Sequence, residues 1–386
     1  MPGHPTLARP PGAAFGPARG ATRVQFFCLG AAFGTWGVHV PSAKLHYALG
    51  DVGLAFALFA AGVGAVLALF RAGAIVGRVG ARAACVGSGS VVCATLALLL
   101  ATPAYALLLL WLTLFGAAGA IFDVAINTEG SALEAEGGRK VMSGFHAMFS
   151  VGGMAAAGVG AWLLRHGVAA PVHLGVAGGV LAMAIGIASR SMLPTAPPEP
   201  VALGGGSRPR GVLLLLGLLA AAGMLAEGAM YDWSVLYLHL ELGATQSAAA
   251  LGYASFTGAM AAGRFGGDAL RARFSAARLL GASAALAAVA MAAVLLVADP
   301  RLALLGFALV GLGLANVVPI LLAGATRVPG VAPAAAIATV SALGYAGFLC
   351  GPPLVGALAE ATSLTVALGL VVAASAVLGW GARRVA

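Results

Sequence analysis

Three carboxylates, Asp123, Glu227 and Asp232, stand inside long apolar runs, whereas the other nine acids fall in polar intervals or at the ends of such runs. Burying an ionised group at the centre of a bilayer costs about 2.5–3.5 kcal/mol on insertion scales, so each asks for a partner, a wet cavity or a proton. Asp123 and Asn127 are four residues apart and share one face of a helix. Such a pair serves as an interhelical hydrogen bond or as a site that binds solute or exchanges protons. The first role is a weak reason to bury a carboxylate, because membrane hydrogen bonds average only about 0.6 kcal/mol. Glu227 and Tyr231 repeat the spacing. Asp232 lies five residues from Glu227, about 140° further round the helix, so it is expected off that face.

Other side chains add to the inventory. Trp36 and His39 are three apart, with Gly37 and Pro41 loosening the backbone between and after them. A bent helix exposes carbonyls to a cavity, an indole can stack on the apolar face of a ring, and a histidine with an ordinary pKa near 6.5 suits proton transfer. The plainer alternatives are a lipid-facing Trp36 and a hydrogen-bonded His39. His146 and Ser150 form a further four-residue pair, and Asn316 sits beside Pro319, which breaks a helix. The four cysteines lie in apolar stretches without metal-ligand spacing and read as packing residues. No catalytic, nucleotide-binding or metal motif is present, so neither enzyme chemistry nor a cofactor is expected.

The elements that must position these residues follow from composition. Of 386 residues, 61% are hydrophobic and 9% charged, with a mean hydropathy of +1.01. Soluble domains carry about 25% charged residues. At ~20 apolar residues per span, the chain divides into twelve helices over 23–46, 51–70, 81–101, 104–128, 141–164, 167–189, 211–238, 246–266, 276–298, 301–324, 333–357 and 363–381. Residues 1–22 read as a flexible arm. The Pro-, Gly- and Ser-rich stretch 190–210 reads as a linker between two six-helix bundles, 23–189 and 211–386.

The net charge of +9 comes from bases scattered between the runs. It is not the single basic face that nucleic acid requires. With both termini in the cytoplasm, 18 of the 21 Lys and Arg residues fall on that side, leaving Lys44, Arg165 and Arg301 outside. An internal repeat supports the two halves: Gly116 and Gly311 are 195 residues apart, Trp36 and Trp233 are 197 apart, and two Gly-rich segments, 151–162 and 346–357, fall in corresponding helices.

The stretch Gly73-Ala-Ile-Val-Gly77-Arg78-Val-Gly80-Ala-Arg82 resembles the G-x-x-x-D-R-x-G-R-R signature of the major facilitator superfamily, with Gly77 where that family has an acid. The equivalent stretch of the second half, GRFGGDALRARF, keeps Asp268 near Arg264, Arg271 and Arg273. Residues 122–129, 143–153 and 231–238 are similar to a bacterial inner-membrane branch related to fucose-type sugar permeases. The resemblance implies an all-α protein of twelve transmembrane helices in two pseudo-symmetric bundles, with conformational gating at Gly73, Arg78, Gly80, Arg82, Arg264 and Asp268. It also implies an essential acid on the fourth helix. The expected function is secondary transport of a small polar solute, sugar-like or another organic metabolite. Alternating access would be driven by protons through Asp123 or Glu227, in a monomer of the bacterial cytoplasmic membrane. Trp36, His39, Asn127, His146, Glu227, Tyr231 and Asn316 are the expected solute contacts. Two other readings stand beside it: a proton-coupled exporter of small amphipathic compounds, and a membrane receptor that does not transport.

Overall fold

Apolar runs this long, with their backbone polar groups out of reach of water, have one economical solution, which is to bond internally as helices. In the computed structural model, which describes residues 15–138, 141–193, 211–331 and 333–384, they do so twelve times. The spans are α1 (Phe15–Val38, resumed as Val40–His46), α2 (Asp51–Val79), α3 (Ala81–Leu98), α4 (Tyr105–Gly137), α5 (Met142–Arg165), α6 (Ala170–Ser189), α7 (Val212–Leu236, continued as the π-helical Tyr237–Glu241), α8 (Gln246–Arg273), α9 (Ala276–Val297), α10 (Pro300–Leu314, resumed as Val317–Ala325), α11 (Pro333–Ala361) and α12 (Leu364–Ala382). Ten are long and apolar enough on their own to cross a membrane. The remaining two, α1 and α8, carry Arg19, Arg23 and Gln25 or Arg264, Asp268, Arg271 and Arg273 within their helical turns.

Proline accounts for two of the interruptions. α1 breaks at His39 just before Pro41, and α10 breaks at Asn316 before Pro319, because each ring removes a backbone donor. Of the arm expected over 1–22, residues 15–22 instead belong to α1, with Ala18, Ala21 and Thr22 buried, and residues 1–14 lie outside the described residues. Most of the 190–210 linker, and the bases Arg9, Arg139, Lys140, Arg208 and Arg210, lie outside them too.

The first six spans pack as α1 on α5, α2 on α4, and α3 on α4 and α6. Shifted by six helices, the same pattern recurs: α7 on α11, α8 on α10, and α9 on α10 and α12. Two seams join the bundles, α5 with α8 and α2 with α11.

Lipid gives helices no hydrophobic reason to associate, so close packing of small residues carries the contact. Gly116 of α4 lies flat on the carbonyl of Ala61 in α2, where any Cβ would overlap it; Gly311 of α10 does the same to Phe256 in α8. Gly116 and Gly311 are 195 residues apart, and so are Ala61 and Phe256. The repeat is thus a repeated glycine-to-backbone contact. Trp36 and Trp233 are not equivalents, since Trp36 borders the central cavity while Trp233 is wholly buried inside the second bundle.

Candidate functional site

Between the bundles lies a cavity of about 350 Å³, within the size range of small-molecule sites. Its walls are mainly apolar and aromatic. Phe33 and Trp36 come from α1, Phe115 from α4, Phe149 from α5, Tyr231 from α7, Tyr253 from α8, and Tyr345 and Phe348 from α11. The charged or titratable groups in this lining are Asp123 of α4, His146 of α5, Glu227 and Asp232 of α7, and Arg264 of α8.

These groups are not equally satisfied. Arg264 Nη2 lies 3.0 Å from Glu227 Oε1, and its Nη1 donates to Ser150 Oγ at 2.9 Å, so one guanidinium ties α7 and α8 to α5 across the bundles. Asp123 Oδ1 accepts from Asn127 Nδ2 at 3.0 Å, and that amide also donates to the Asp123 carbonyl at 2.8 Å. This neutral partner leaves the charge of Asp123 uncompensated. Asp232 has neither an ion pair nor a side-chain hydrogen bond among the described residues. Three carboxylates therefore face one permanent cation in a largely apolar chamber. The Tyr231 and Tyr253 rings stand 5.6 Å apart, and His146 meets Phe26 edge-on at 5.2 Å.

Among the residues singled out from sequence, Trp36, Asp123, His146, Glu227 and Tyr231 line this cavity together. Three do not. His39 is wholly buried behind α1, its Nε2 2.8 Å from His173 Nδ1 of α6 and its Nδ1 3.2 Å from Ser42 Oγ; the α1 break turns it away from the cavity. Asn127 is spent on Asp123. Asn316 is buried at the α10 break, where its amide donates to the Gly263 carbonyl of α8 at 2.9 Å and so ties the break to that helix.

Asp232 departs from expectation in the other direction, reaching the cavity along with Glu227. The chamber wraps around α7 widely enough to take in both. Lys44, near a helix end, pairs with Asp51.

The gating residues also divide. Gly80 sits between α2 and α3 at φ +84°, a conformation that favours glycine. Gly73 has open space around it, and Arg78 and Arg82 are exposed without an ion pair among the described residues. Asp268 pairs with Arg271 and accepts from Ser143 of α5 at 3.4 Å. Arg264 is misplaced by the motif: α8 continues to Arg273, which sets Arg264 well inside the helix as a cavity residue.

At one end of the molecule the bundles are cross-linked. Gln246 Nε2 of α8 donates to the Val38 carbonyl at 3.1 Å and to Ser42 Oγ at 2.7 Å, while Glu360 of α11 accepts from the backbone N–H of Asp51 at 3.0 Å. At the other end the side-chain hydrogen bonds between bundles, among the described residues, all join α5 to α8.

The sequence model described as Major Facilitator Superfamily matches residues 24–332. The chain is 36% identical to an uncharacterized MFS-type transporter of Yersinia pestis over 351 residues, 91% of each chain. It is 32% identical to Membrane protein MosC of Rhizobium meliloti over 367 residues, 92% of this chain and 89% of that one. Among solved structures, the nucleoside transporter NupG superposes with a TM-score of 0.74 at 13% identity, covering 97% of this chain and 99% of that one. The E. coli Fucose:proton symporter FucP superposes with a TM-score of 0.66 at 16% identity, covering 95% and 98%.

Proposed function

The chain belongs to the major facilitator superfamily and is a multi-pass membrane transporter, and from that premise we propose that it carries a small organic solute by alternating access, coupled to protons at Asp123. The observation that carries this reading is the charge imbalance of the cavity, in which Glu227 has Arg264 and Asp123 has only an amide. A carboxylate in that setting must be hydrated, paired or protonated, and protonation is the reversible option a cycle can use. The two bundles are the moving bodies, and the positive-inside bias supports a topology with both termini in the cytoplasm of a bacterial cell. The cross-linked end, with Asp51 and Glu360, is then the outer one, and solute leaves or enters from the cytoplasmic side in this conformation.

The aromatic walls suit a solute that offers a flat apolar face together with polar groups, which a sugar ring does. The same walls favour a second reading, export of small amphipathic compounds, because they outnumber the polar groups.

A thermal-shift screen of sugars, amines, organic acids and common drugs supplies a ligand for the test. In proteoliposomes, Asp123→Asn abolishes proton-driven accumulation of that ligand yet retains binding and counterflow exchange, while Glu227→Gln shows whether the second bundle carries the proton instead. Accumulation equal to the parent's, with the same pH dependence, would remove Asp123 from the coupling role.

A further inference from the structure

We infer that the transported solute bears a positively charged nitrogen, and that Asp232 is its anchor, with Trp36 and Tyr253 beside it as hydrogen-bond donors and aromatic faces. The inference rests on the transport reading and names the solute class for the same cavity.

Asp232 differs from the other two cavity acids. Glu227 is neutralised by Arg264, and Asp123 holds the amide of Asn127, whereas no side chain among the described residues bonds to Asp232. A second, separate observation points to a ligand. Trp36 and Tyr253 are 5% and 2% exposed, both border the cavity, and neither the indole N–H nor the phenol O–H finds a hydrogen-bond partner among the described residues. Neither atom is among the fully buried polar atoms left without a partner, so the small exposed part of each residue includes its donor, open to the chamber, where a solute can supply the acceptor.

Tyr253 also links the parts of this corner. It packs on the backbone of Gly37, next to Trp36, and its ring stands 5.6 Å from that of Tyr231, the residue before Asp232 on α7. A carboxylate sharing a chamber with indole and phenol rings has the makings of an ammonium site, since the ring quadrupoles and the carboxylate attract the same charge. A neutral polyol would leave the Asp232 carboxylate to water or a proton, whereas a cation pairs it. A solute with hydroxyls and one basic nitrogen meets all three groups, because its hydroxyl oxygens accept from Trp36 and Tyr253 while its N–H or N-methyl groups face Asp232.

Calorimetry on the purified full chain with two charged and neutral pairs, glucosamine against glucose and benzyltrimethylammonium against benzyl alcohol, tests it. The cation is expected to bind more tightly than its neutral partner in at least one pair, by about tenfold, the scale of one desolvated charge contact. Asp232→Asn removes that advantage and Asp232→Glu restores part of it, with melting curves confirming that both variants fold. Neutral partners binding as well as the cations, no cation binding in either pair, or an advantage that survives in folded Asp232→Asn would each overturn the assignment. If the neutral partner binds at least as tightly in both pairs while Asp123→Asn still abolishes proton-driven uptake, only the cation falls and proton coupling stands. If cations prevail at Asp232 but Asp123→Asn accumulates ligand like the parent, the failure belongs to the coupling role.

Discussion

The two seams between the bundles are built differently. Along α5 and α8 the contacts take in the first half of α5 and most of α8: Ser143 meets Asp268 and Arg271, Ser150 meets Arg264, the Gly153 backbone lies against Tyr253 and Thr257, and Met154 covers Gly258. Along α2 and α11 contact is close at one end only. Gly356 seats on Ala55, Gly62 takes the side chain of Leu349, and Glu360 bonds the first backbone N–H groups of α2. Further along α2, Gly73 and Gly77 have nothing near them. A seam held from its end into the middle of the fold, where Arg264 also ties it to α7, behaves as an axis, and one pinned at a single end behaves as a gate. The cavity acids sit between the two, where a change of charge can bias either seam.

The strongest way to break the axis is Arg264→Leu. Arg264 belongs to both the α5–α8 seam and the Glu227 ion pair, and it is only 17% exposed. Removing it strands the Glu227 carboxylate, and breaking a buried pair from one side costs about 3–5 kcal/mol, toward the lower figure where cavity water reaches it. Thermal melts should show the largest fall of any single substitution considered, with transport lost. Arg264→Leu with Glu227→Gln should recover most of the stability and none of the transport. A single variant that melts like the parent would show that the pair does not hold the axis.

Most of the fold was legible because a lone charge or a proline is conspicuous in an apolar run. All twelve spans follow from that pattern, and so do Asp123 and Glu227 as residues that need a reason to be there. Helix ends were less legible. α2 and α4 run on to Val79 and Gly137 through polar residues that sequence assigns to loops, since a helix projecting from the bilayer keeps its own backbone bonds. That extension is why Arg264 was misjudged: the motif suggests a loop-side base, yet nine helical residues follow it in α8. The His39–His173 contact joins positions 134 apart in the chain and leaves no local periodicity to read. Asp232 was discounted by helical-wheel geometry, which assumes a narrow face and fails where the chamber wraps around α7.

Glu360 offers a milder test of the gate. The first residues of α2 have no side-chain cap of their own, as Gly50 stands at the cap position, and Glu360 Oε2 from the opposite bundle accepts from Asp51 at 3.0 Å and from Val52 at 3.4 Å. An N-terminal cap is worth about 1 kcal/mol, equivalent to roughly a fivefold shift in a two-state equilibrium. Because this cap forms only when α2 and α11 meet, its whole value favours the closed gate. Glu360→Ala should raise the population open at that end by about this factor, read as a longer distance between spin labels placed near residues 52 and 361. An unchanged distance distribution would mean that the glycine contacts alone close the gate.

The smallest effect expected is at the signature stretches, where the seams differ by one acid. Asp268 pairs with Arg271 and touches Ser143 of the opposite bundle, but its side chain is 56% exposed, so the pair contributes at most about 1 kcal/mol. Its counterpart Gly77 has no neighbour within contact distance, and Arg78 and Arg82 are exposed. Asp268→Asn removes a charge that bridges α5 and α8, and so loosens the axis at that end. Gly77→Asp adds a carboxylate with nothing from the other bundle to bond, so in this conformation it changes little. Cysteine pairs across each seam, crosslinked in membranes, should therefore report a larger change for Asp268→Asn than for Gly77→Asp. The reverse order would mean that the α2 stretch engages α11 in the other conformation, where an acid at position 77 would close the end that is open here. The gate would then be pinned at alternate ends in the two states, and α5–α8 alone would keep its contacts throughout the cycle.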